Sequence, residues 1–286
     1  MRQQTAIVKA TSPHGLSDDQ IMRVAPSVFA TEPWEGVSDK YAFISTADVL
    51  GRMRTAGLVP VSAQQSIVRI PGKREFAKHM LRFRRQADVD RFPKVVNGNM
   101  HHFFKEQPLI AEIALSNAHD RTSAFDLFAG LFRLVCSNGL CVPSSTLESI
   151  KVRHVGDIAD DVIEGAFSII DDFPVVMEEI DGWQRLMLTD RQQAAYAKAA
   201  QTLRWGDESA PVTEAQLLLP HRIEDRASDL FTTFNRVQEN MMKGGLRGRT
   251  KTGKRMSTRA INSVTEDTKL NKALWVLTQE MAKQVH

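Results

Sequence analysis

The chain has 286 residues, of which 42% are hydrophobic and 25% are charged, a composition typical of a globular protein with a sizeable core. Charges interrupt every apolar run before the roughly 18 residues that a membrane span requires, and the N-terminus has no apolar signal region, so we expect a cytoplasmic protein. The two cysteines, Cys136 and Cys141, match neither a disulfide framework nor a zinc site.

Charge is unevenly distributed along the chain, although the net charge is only +3. Residues 72–94 contain eight Lys or Arg and three acids, whereas residues 243–259 contain seven Lys or Arg and no acid. Residues 157–190 contain ten acids and one cation, Arg185. This separation favours contact with a nucleic-acid backbone, or head-to-tail association in which a basic surface meets an acidic one.

Residues 41–120 combine helix and strand signals. Thr46 is predicted to cap a helix over 47–56 that Gly57 ends. The segments 59–70, 78–86 and 108–116 alternate loosely between apolar and polar residues and are predicted strands. We therefore expect an α+β fold, with an antiparallel sheet and flanking helices in the N-terminal part.

The segment from Ser123 to Ser137 has two interpretations. Phe125, Phe128 and Phe132 recur at helical spacing, which favours a helix that Asn138 and Gly139 end. The alternative is a hairpin with Asn138 and Gly139 as its turn, which would place Cys136 opposite Cys141.

The last third of the chain is predicted to be helical. Capping-box pairs stand at Thr189 and Gln192 and again at Thr213 and Gln216, and further helices are expected near residues 223–242 and after Ser263. We divide the chain into an α+β core domain, residues 1–180, and a helical region, residues 181–286.

The helical region contains a basic glycine-rich loop at residues 243–259. Glycines allow backbone amides to approach phosphates, and the cations neutralise those phosphates and release counterions. The sequence therefore predicts nucleic-acid contacts from Lys243, Arg247, Arg249, Lys251, Lys254, Arg255 and Arg259. Gly248, Gly253 and Lys254 have P-loop spacing, but a helix precedes them and Arg255 follows, so no nucleotide cofactor is expected.

A second basic segment surrounds Phe83. On the predicted strand, Arg82 and Arg84 share one face, and Phe83 and Arg85 share the other. One interpretation is an exposed basic sheet face that follows a nucleic-acid strand, with Phe83 stacking on bases. The other places Phe83 in the core and the arginines in solvent.

The polar cluster at residues 116–123 contains Asn117 and the neighbouring pair His119 and Asp120. Such residues can supply a general base, or they can form a metal site together with His101 or His102. Neighbouring side chains on a turn point in different directions, however, so a strand end leading into a helix cap is the favoured interpretation. We expect no catalytic residue and no metal here.

Four segments carry a resemblance to a known family. They are RIPGKREFAKHMLRFRR at 69–85, SNAHDRTSAFDLFAGLFRLVCSNGL at 116–140, DLFTTFNRVQENMMKGG at 229–245 and NKALWVLTQEMA at 271–282. Through them the chain resembles the phage/plasmid-like proteins called domain of unknown function 932. Ala118 departs from the family pattern, where Ser is expected, and so does Arg121, where Gly is usual. The resemblance implies mobile-element biology and brings no established active site.

These observations favour a non-enzymatic protein that binds and anneals single-stranded DNA as a homo-oligomeric ring or filament, similar to a recombination mediator. An alternative is a mobile-element interaction or counter-defence protein that binds a host protein. A third hypothesis is a metal-dependent nuclease that uses His119 and Asp120. No membrane partner is expected.

Overall fold

The computed structural model describes residues 7–12, 14–35, 43–70, 72–91, 109–133, 138–141, 158–171, 173–206 and 210–285. His101, His102 and Cys136 lie outside these ranges. The chain divides into two compact units, one made of residues 1–173 and 262–264 and the other of residues 174–261 and 265–286. No helix in the described ranges combines the length and the apolar character needed to cross a bilayer.

The first unit is built on an antiparallel sheet in which six strands follow one another in chain order. Its strands are β1 (Ile7–Lys9), β2 (Leu58–Gln65), β3 (His79–Arg85), β4 (Leu109–Asn117), β5 (Asp126–Arg133) and β6 (Asn138–Cys141). Its helices are α1 (Asp18–Val24), α2 (Thr46–Thr55), α3 (Gln86–Arg91) and α4 (Ile158–Asp171), with 3-10 turns at Pro26–Phe29 and Lys73–Phe76. The predicted α+β class and the three predicted strands are confirmed.

The central strands are buried on both faces. Leu81 and Phe83 are fully buried on one face of β3, and Met80 on the other face packs with Ala114, Phe128 and Val264. Both faces of the sheet therefore contribute to the core.

The segment around Phe128 is a strand, so the predicted helix over Ser123–Ser137 is wrong. Leu127 and Phe128 are both buried although they point to opposite faces of β5. A strand buried on both faces is apolar at consecutive positions, and chance spacing of its aromatic residues imitates a helical period. The predicted Asn138-Gly139 turn is also wrong, because both residues lie in β6, where Asn138 pairs with Arg133 and Cys141 pairs with Gly130.

The helix α2 begins one position away from the predicted cap. The Ser45 hydroxyl accepts a hydrogen bond from the Asp48 amide, so Ser45 is the N-cap and Thr46 is the first helical residue. The Thr46 side chain is fully buried. Its hydroxyl contacts the buried side chains of His79 and Asn117.

The second unit is mainly helical, as predicted for the last third of the chain. It contains most of α5 (Phe173–Arg185), then α6 (Asp190–Trp205), α7 (Glu214–Leu217), α8 (Leu230–Lys243) and most of α9 (Val264–Gln284), with a 3-10 turn at Ile223–Asp225 and the strands β7 (Arg247–Arg249) and β8 (Arg255–Ser257). Both predicted capping boxes are present at the starts of α6 and α7.

Helix α8 lies at the centre of this unit. Residues 230–241 are buried without exception, and Phe234 packs against Trp183 and Trp275. The helix begins seven residues after the predicted start at Ile223, because Asp229 is its N-cap and accepts a hydrogen bond from the Thr232 amide at 2.8 Å. Among its polar side chains, Arg236 donates to Gln193, Gln238 donates to Asn271 and Asn240 donates to the Leu217 carbonyl.

Candidate nucleic-acid interface

The predicted basic loop is a β-hairpin. Strands β7 and β8 pair in antiparallel register, with Arg249 opposite Arg255 and Gly248 opposite Met256. A tight connection closes the hairpin, in which the Thr250 amide donates to the Lys254 carbonyl at 2.9 Å. Side chains alternate along a strand, so Arg247, Arg249 and Arg255 lie on one face and Gly248 and Met256 on the other.

Gly248 holds the hairpin against the segment before α7. The Arg249 amide donates to the Pro211 carbonyl oxygen at 3.0 Å, and a Cβ atom added at Gly248 would lie 1.9 Å from that oxygen. The Gln216 side chain also donates to the Arg247 carbonyl at 2.8 Å. Only glycine permits this close approach, and the approach turns the arginine face outward.

Six cations of the hairpin segment are exposed to solvent. They are Arg247, Arg249, Lys251, Lys254, Arg255 and Arg259. Within the described ranges, none of the six forms an ion pair with a carboxylate. Residues of both strands line an open groove of about 660 Å³. We call these six residues the cationic hairpin surface.

The seventh predicted contact, Lys243, is already paired. Its ammonium group contacts the Glu239 carboxylate at 2.5 Å, and the Arg222 guanidinium contacts the same carboxylate through two hydrogen bonds of 2.6 and 2.7 Å. Burial acts to raise the pKa of Glu239, but the hydrogen bonds from Arg222 and Lys243 outweigh it and lower the pKa to about 2. Lys243 therefore neutralises a buried charge and is left out of the cationic hairpin surface.

The predicted basic face of β3 is not exposed. Arg82 and Arg84 do share a face, but Nη1 of Arg82 contacts one oxygen of Glu112 at 3.0 Å and Arg84 contacts the other at 2.8 Å. The Glu112 side chain is 1% exposed. Phe83 is fully buried, and the exposed Arg85 pairs with Asp88 at 2.8 Å. Both interpretations of the segment are wrong about Arg82 and Arg84, because a carboxylate on the neighbouring strand binds them inside the fold.

The polar residue Asn117 belongs to a buried row that crosses three strands. The register aligns Gln65 of β2 with His79 of β3 and His79 with Asn117 of β4. Thr46 lies over the row, with its Oγ1 atom 3.0 Å from Nε2 of His79 and 3.0 Å from the side-chain nitrogen Nδ2 of Asn117. All four side chains are buried.

Ser27 determines how His79 is protonated. The Ser27 amide and hydroxyl both donate to Oε1 of Gln65, at 3.0 and 2.6 Å. Since the hydroxyl proton is used there, Ser27 Oγ accepts from Nδ1 of His79 at 2.8 Å. The neutral His79 ring then accepts at Nε2 from the Thr46 hydroxyl.

Both histidines of this cluster are held neutral. Burial, assisted by the neighbouring His119, lowers the pKa of His79 to about 3. Burial also lowers the pKa of His119 to about 4, against smaller opposing effects of the Ser27 backbone and Asp120. Among the described residues, the buried Nδ1 atom of His119 has no hydrogen-bond partner, and the His119 ring contacts the Phe43 ring at a tilt.

His119 and Asp120 do not act as a pair. The His119 ring points into the buried row, whereas the Asp120 carboxylate contacts Lys73 at 3.1 Å and accepts hydrogen bonds from the Thr122 amide and hydroxyl. The predicted helix cap after this strand end is wrong, because the strand β5 follows. Among the described residues, no three His, Cys, Asp or Glu side chains gather as a metal site would require.

The sequence did not indicate Gln65 and His79 as members of the buried row, or Ser27 and Thr46 as the residues that contact it. A usable signal existed for His79, because it is the second residue of the predicted strand 78–86 and precedes Met80 and Leu81, which have positions typical of a core. Its side-chain partners Ser27 and Thr46 lie 52 and 33 residues away in the chain. Local patterns give no information on contacts of that kind.

The comparisons with known proteins agree on one family. The profile of a family described as "Domain of unknown function (DUF932)" matches residues 33–275. Two proteins of Escherichia coli (strain K12) are similar over 94% of this chain and 93% of their own length: UPF0380 protein YafZ at 42% identity and UPF0380 protein YfjQ at 41% identity. No solved structure matches the chain.

Proposed function

Since the chain belongs to the DUF932 family, whose description names no activity, we propose from the geometry that it is a non-enzymatic protein that binds and anneals single-stranded DNA. One observation carries the proposal: six exposed cations on a rigidly supported hairpin, with no carboxylate paired to any of them in the described ranges. A solvated surface usually mixes both signs of charge, whereas a phosphate-binding surface has one.

In this proposal the cationic hairpin surface contacts the phosphates of the strand. A two-stranded ribbon with arginines on one face can neutralise phosphates over a short length, and the described part of the hairpin has no acid or amide side chain to recognise cytosine or adenine edges. Binding of this kind leaves the bases of the nucleic acid free to pair. Annealing follows if two bound strands are brought together, so we include homo-oligomerisation into a ring or filament in the proposal.

Charge complementarity supports such an assembly. Glu178 and Asp181 are exposed on α5, and Asp161 and Glu164 are exposed on α4. An acidic surface of one copy can therefore attract the basic surface of another. Light scattering across a salt series measures this association, and a mass that stays monomeric at low salt contradicts the proposed assembly.

Binding to a labelled single-stranded oligonucleotide, measured by fluorescence anisotropy across a salt series, tests the function. Each phosphate contact contributes about −0.7 to the slope of log K against log salt for a single strand. Changing Arg247, Arg249, Lys251, Lys254 and Arg255 together to alanine is expected to weaken binding at least tenfold and to flatten the slope by up to about 3.5.

A matched variant controls for net charge. It changes five exposed cations outside the hairpin to alanine: Arg23, Arg69, Arg191, Arg226 and Lys269. We expect this variant to bind within about threefold of the unmodified protein, since its loss of long-range attraction is largely screened. Equal losses of affinity in the two variants contradict the proposal, and so does the absence of binding at low salt. A strand-annealing assay with the same proteins then tests the second step.

A further inference from the structure

The cationic hairpin surface lacks an aromatic side chain of its own. Proteins that bind single strands combine a basic groove with aromatic rings on which the bases stack. The segment from 243 to 261 contains no Phe, Tyr or Trp. Phe83, the stacking residue that the sequence suggested, is fully buried.

Trp205 lies near Arg259, which follows the second strand of the hairpin. It is the last residue of α6 and is half-buried, and the Arg204 guanidinium lies 4.7 Å from the centre of its ring. The same guanidinium donates through Nη2 to the carbonyl oxygen of Arg259 at 2.5 Å. One guanidinium therefore bridges the indole of Trp205 and the chain of the cationic hairpin surface.

This arrangement is held in place from both sides. The Gln201 side chain donates to the Val212 carbonyl at 2.8 Å, which ties the end of α6 to the segment that supports β7. Gly244 approaches the backbone of Arg259 so closely that a Cβ atom there would lie 2.5 Å from the Arg259 carbonyl carbon. The end of α6 and the hairpin thus share one support, and the indole is preorganised relative to the cations.

Arg204 also has an unused donor. Its Nη1 atom is buried and has no hydrogen-bond partner in the described part of the chain, and burial lowers the pKa of the guanidinium. Unlike Trp205, Trp183 and Trp275 are buried within the core of the second unit and are not available to a ligand.

We propose that Trp205, oriented by Arg204, is a base-stacking subsite for single-stranded nucleic acid next to the cationic hairpin surface. The inference rests on the proposed function and deepens it. The cations contact the phosphates, and the Arg204–Trp205 pair contacts one base. Stacking tolerates any base, so the subsite adds affinity without selecting a sequence.

The test compares two oligonucleotides of equal length, one of thymidines and one of abasic sugars, because both carry the same phosphates and only one carries bases. The unmodified protein is expected to bind the thymidine strand about tenfold more tightly. Trp205→Leu is expected to remove this preference while leaving the affinity for the abasic strand and the salt slope unchanged. Trp205→Phe, which keeps an aromatic ring and guards against a folding defect, is expected to restore most of the preference.

Trp34→Leu is the matched control, because Trp34 is also half-buried and lies in the first unit. We expect it to keep the full preference for thymidines. Two outcomes overturn the stacking subsite and leave the proposed function standing. One is salt-dependent binding that is equally tight for both strands, and the other is a Trp205→Leu variant that keeps the preference for thymidines. Absence of binding to either strand overturns both proposals.

Discussion

The Nη1 atom of Arg82 lies 3.0 Å from the Oε2 atom of Glu112, and both side chains are buried on one face of the sheet in the first unit. Arg84 contacts the other oxygen of the same carboxylate at 2.8 Å. One buried carboxylate thus binds two arginines, and the three residues form a triad. The basic character of residues 72–94 is thus partly internal, and it does not describe the protein surface.

Glu112→Ala is expected to destabilise the protein by about 3–5 kcal/mol, because it removes the buried carboxylate that contacts both guanidinium groups. Urea denaturation measures the free energy of unfolding. Asp160→Ala is the control, since its pair with Arg52 is largely exposed and is expected to contribute no more than about 1 kcal/mol. A Glu112→Ala protein as stable as the control would show that the triad is not buried in solution.

Stability is expected to fall as the pH falls from about 6.5 towards 5. The folded-state pKa values of His79 and His119 are about 3 and about 4, whereas an unfolded histidine titrates near 6.5. Between these values the unfolded chain binds protons that the folded chain excludes, so stability is complete above pH 6.5 and decreases below it. Each histidine contributes a slope of about 1.4 kcal/mol per pH unit in the free energy of unfolding.

Urea unfolding at several pH values measures this slope, and carboxylates interfere little above about pH 5. His119→Gln is expected to halve the slope. His14→Gln, which changes an exposed histidine, is expected to leave it unaltered. A stability that is constant from pH 6.5 to 5 would mean that the two rings are accessible to protons in the folded protein.

Arg121 has a positive φ of 65°, in the left-handed region that favours glycine. This finding explains why a glycine suits the position, where the family resemblance indicated that Gly is usual. Arg121→Gly is expected to be about 1 kcal/mol more stable than Arg121→Ala. Both variants lose the same side-chain contacts, so their difference in thermal unfolding isolates the backbone. If the alanine variant is the more stable one, the turn does not have this conformation.

Gly248→Ala is expected to destabilise the second unit by about 1–3 kcal/mol and to weaken oligonucleotide binding, although no charge changes. The added Cβ would lie 1.9 Å from the Pro211 carbonyl oxygen, so the hairpin must move away from its support. Gly182→Ala in α5 meets nothing within 4 Å and is expected to be neutral or slightly stabilising. If a destabilised Gly248→Ala protein keeps its affinity for DNA, then binding does not depend on the position of the hairpin.

Features set by residues two to four positions apart could be predicted from the sequence. The capping boxes at Thr189 and Thr213, the helix α8 and the strands β2 to β4 are of this kind. The α+β class follows from them, because their order along the chain separates a sheet-forming part from a helical part. The concentration of cations at residues 243–259 is likewise a property of composition alone.

Features that depend on which strands meet were decided by the tertiary structure. The sequence does not show that Glu112 faces Arg82, that Thr46 covers His79, or that Gly248 rests on Pro211 and makes a hairpin of an apparent loop. Nor could it separate a doubly buried strand at Phe128 from a helix, since both are rich in apolar residues. Local patterns report the neighbours of a residue along the chain, whereas burial and pairing depend on partners that only folding brings within a few ångströms.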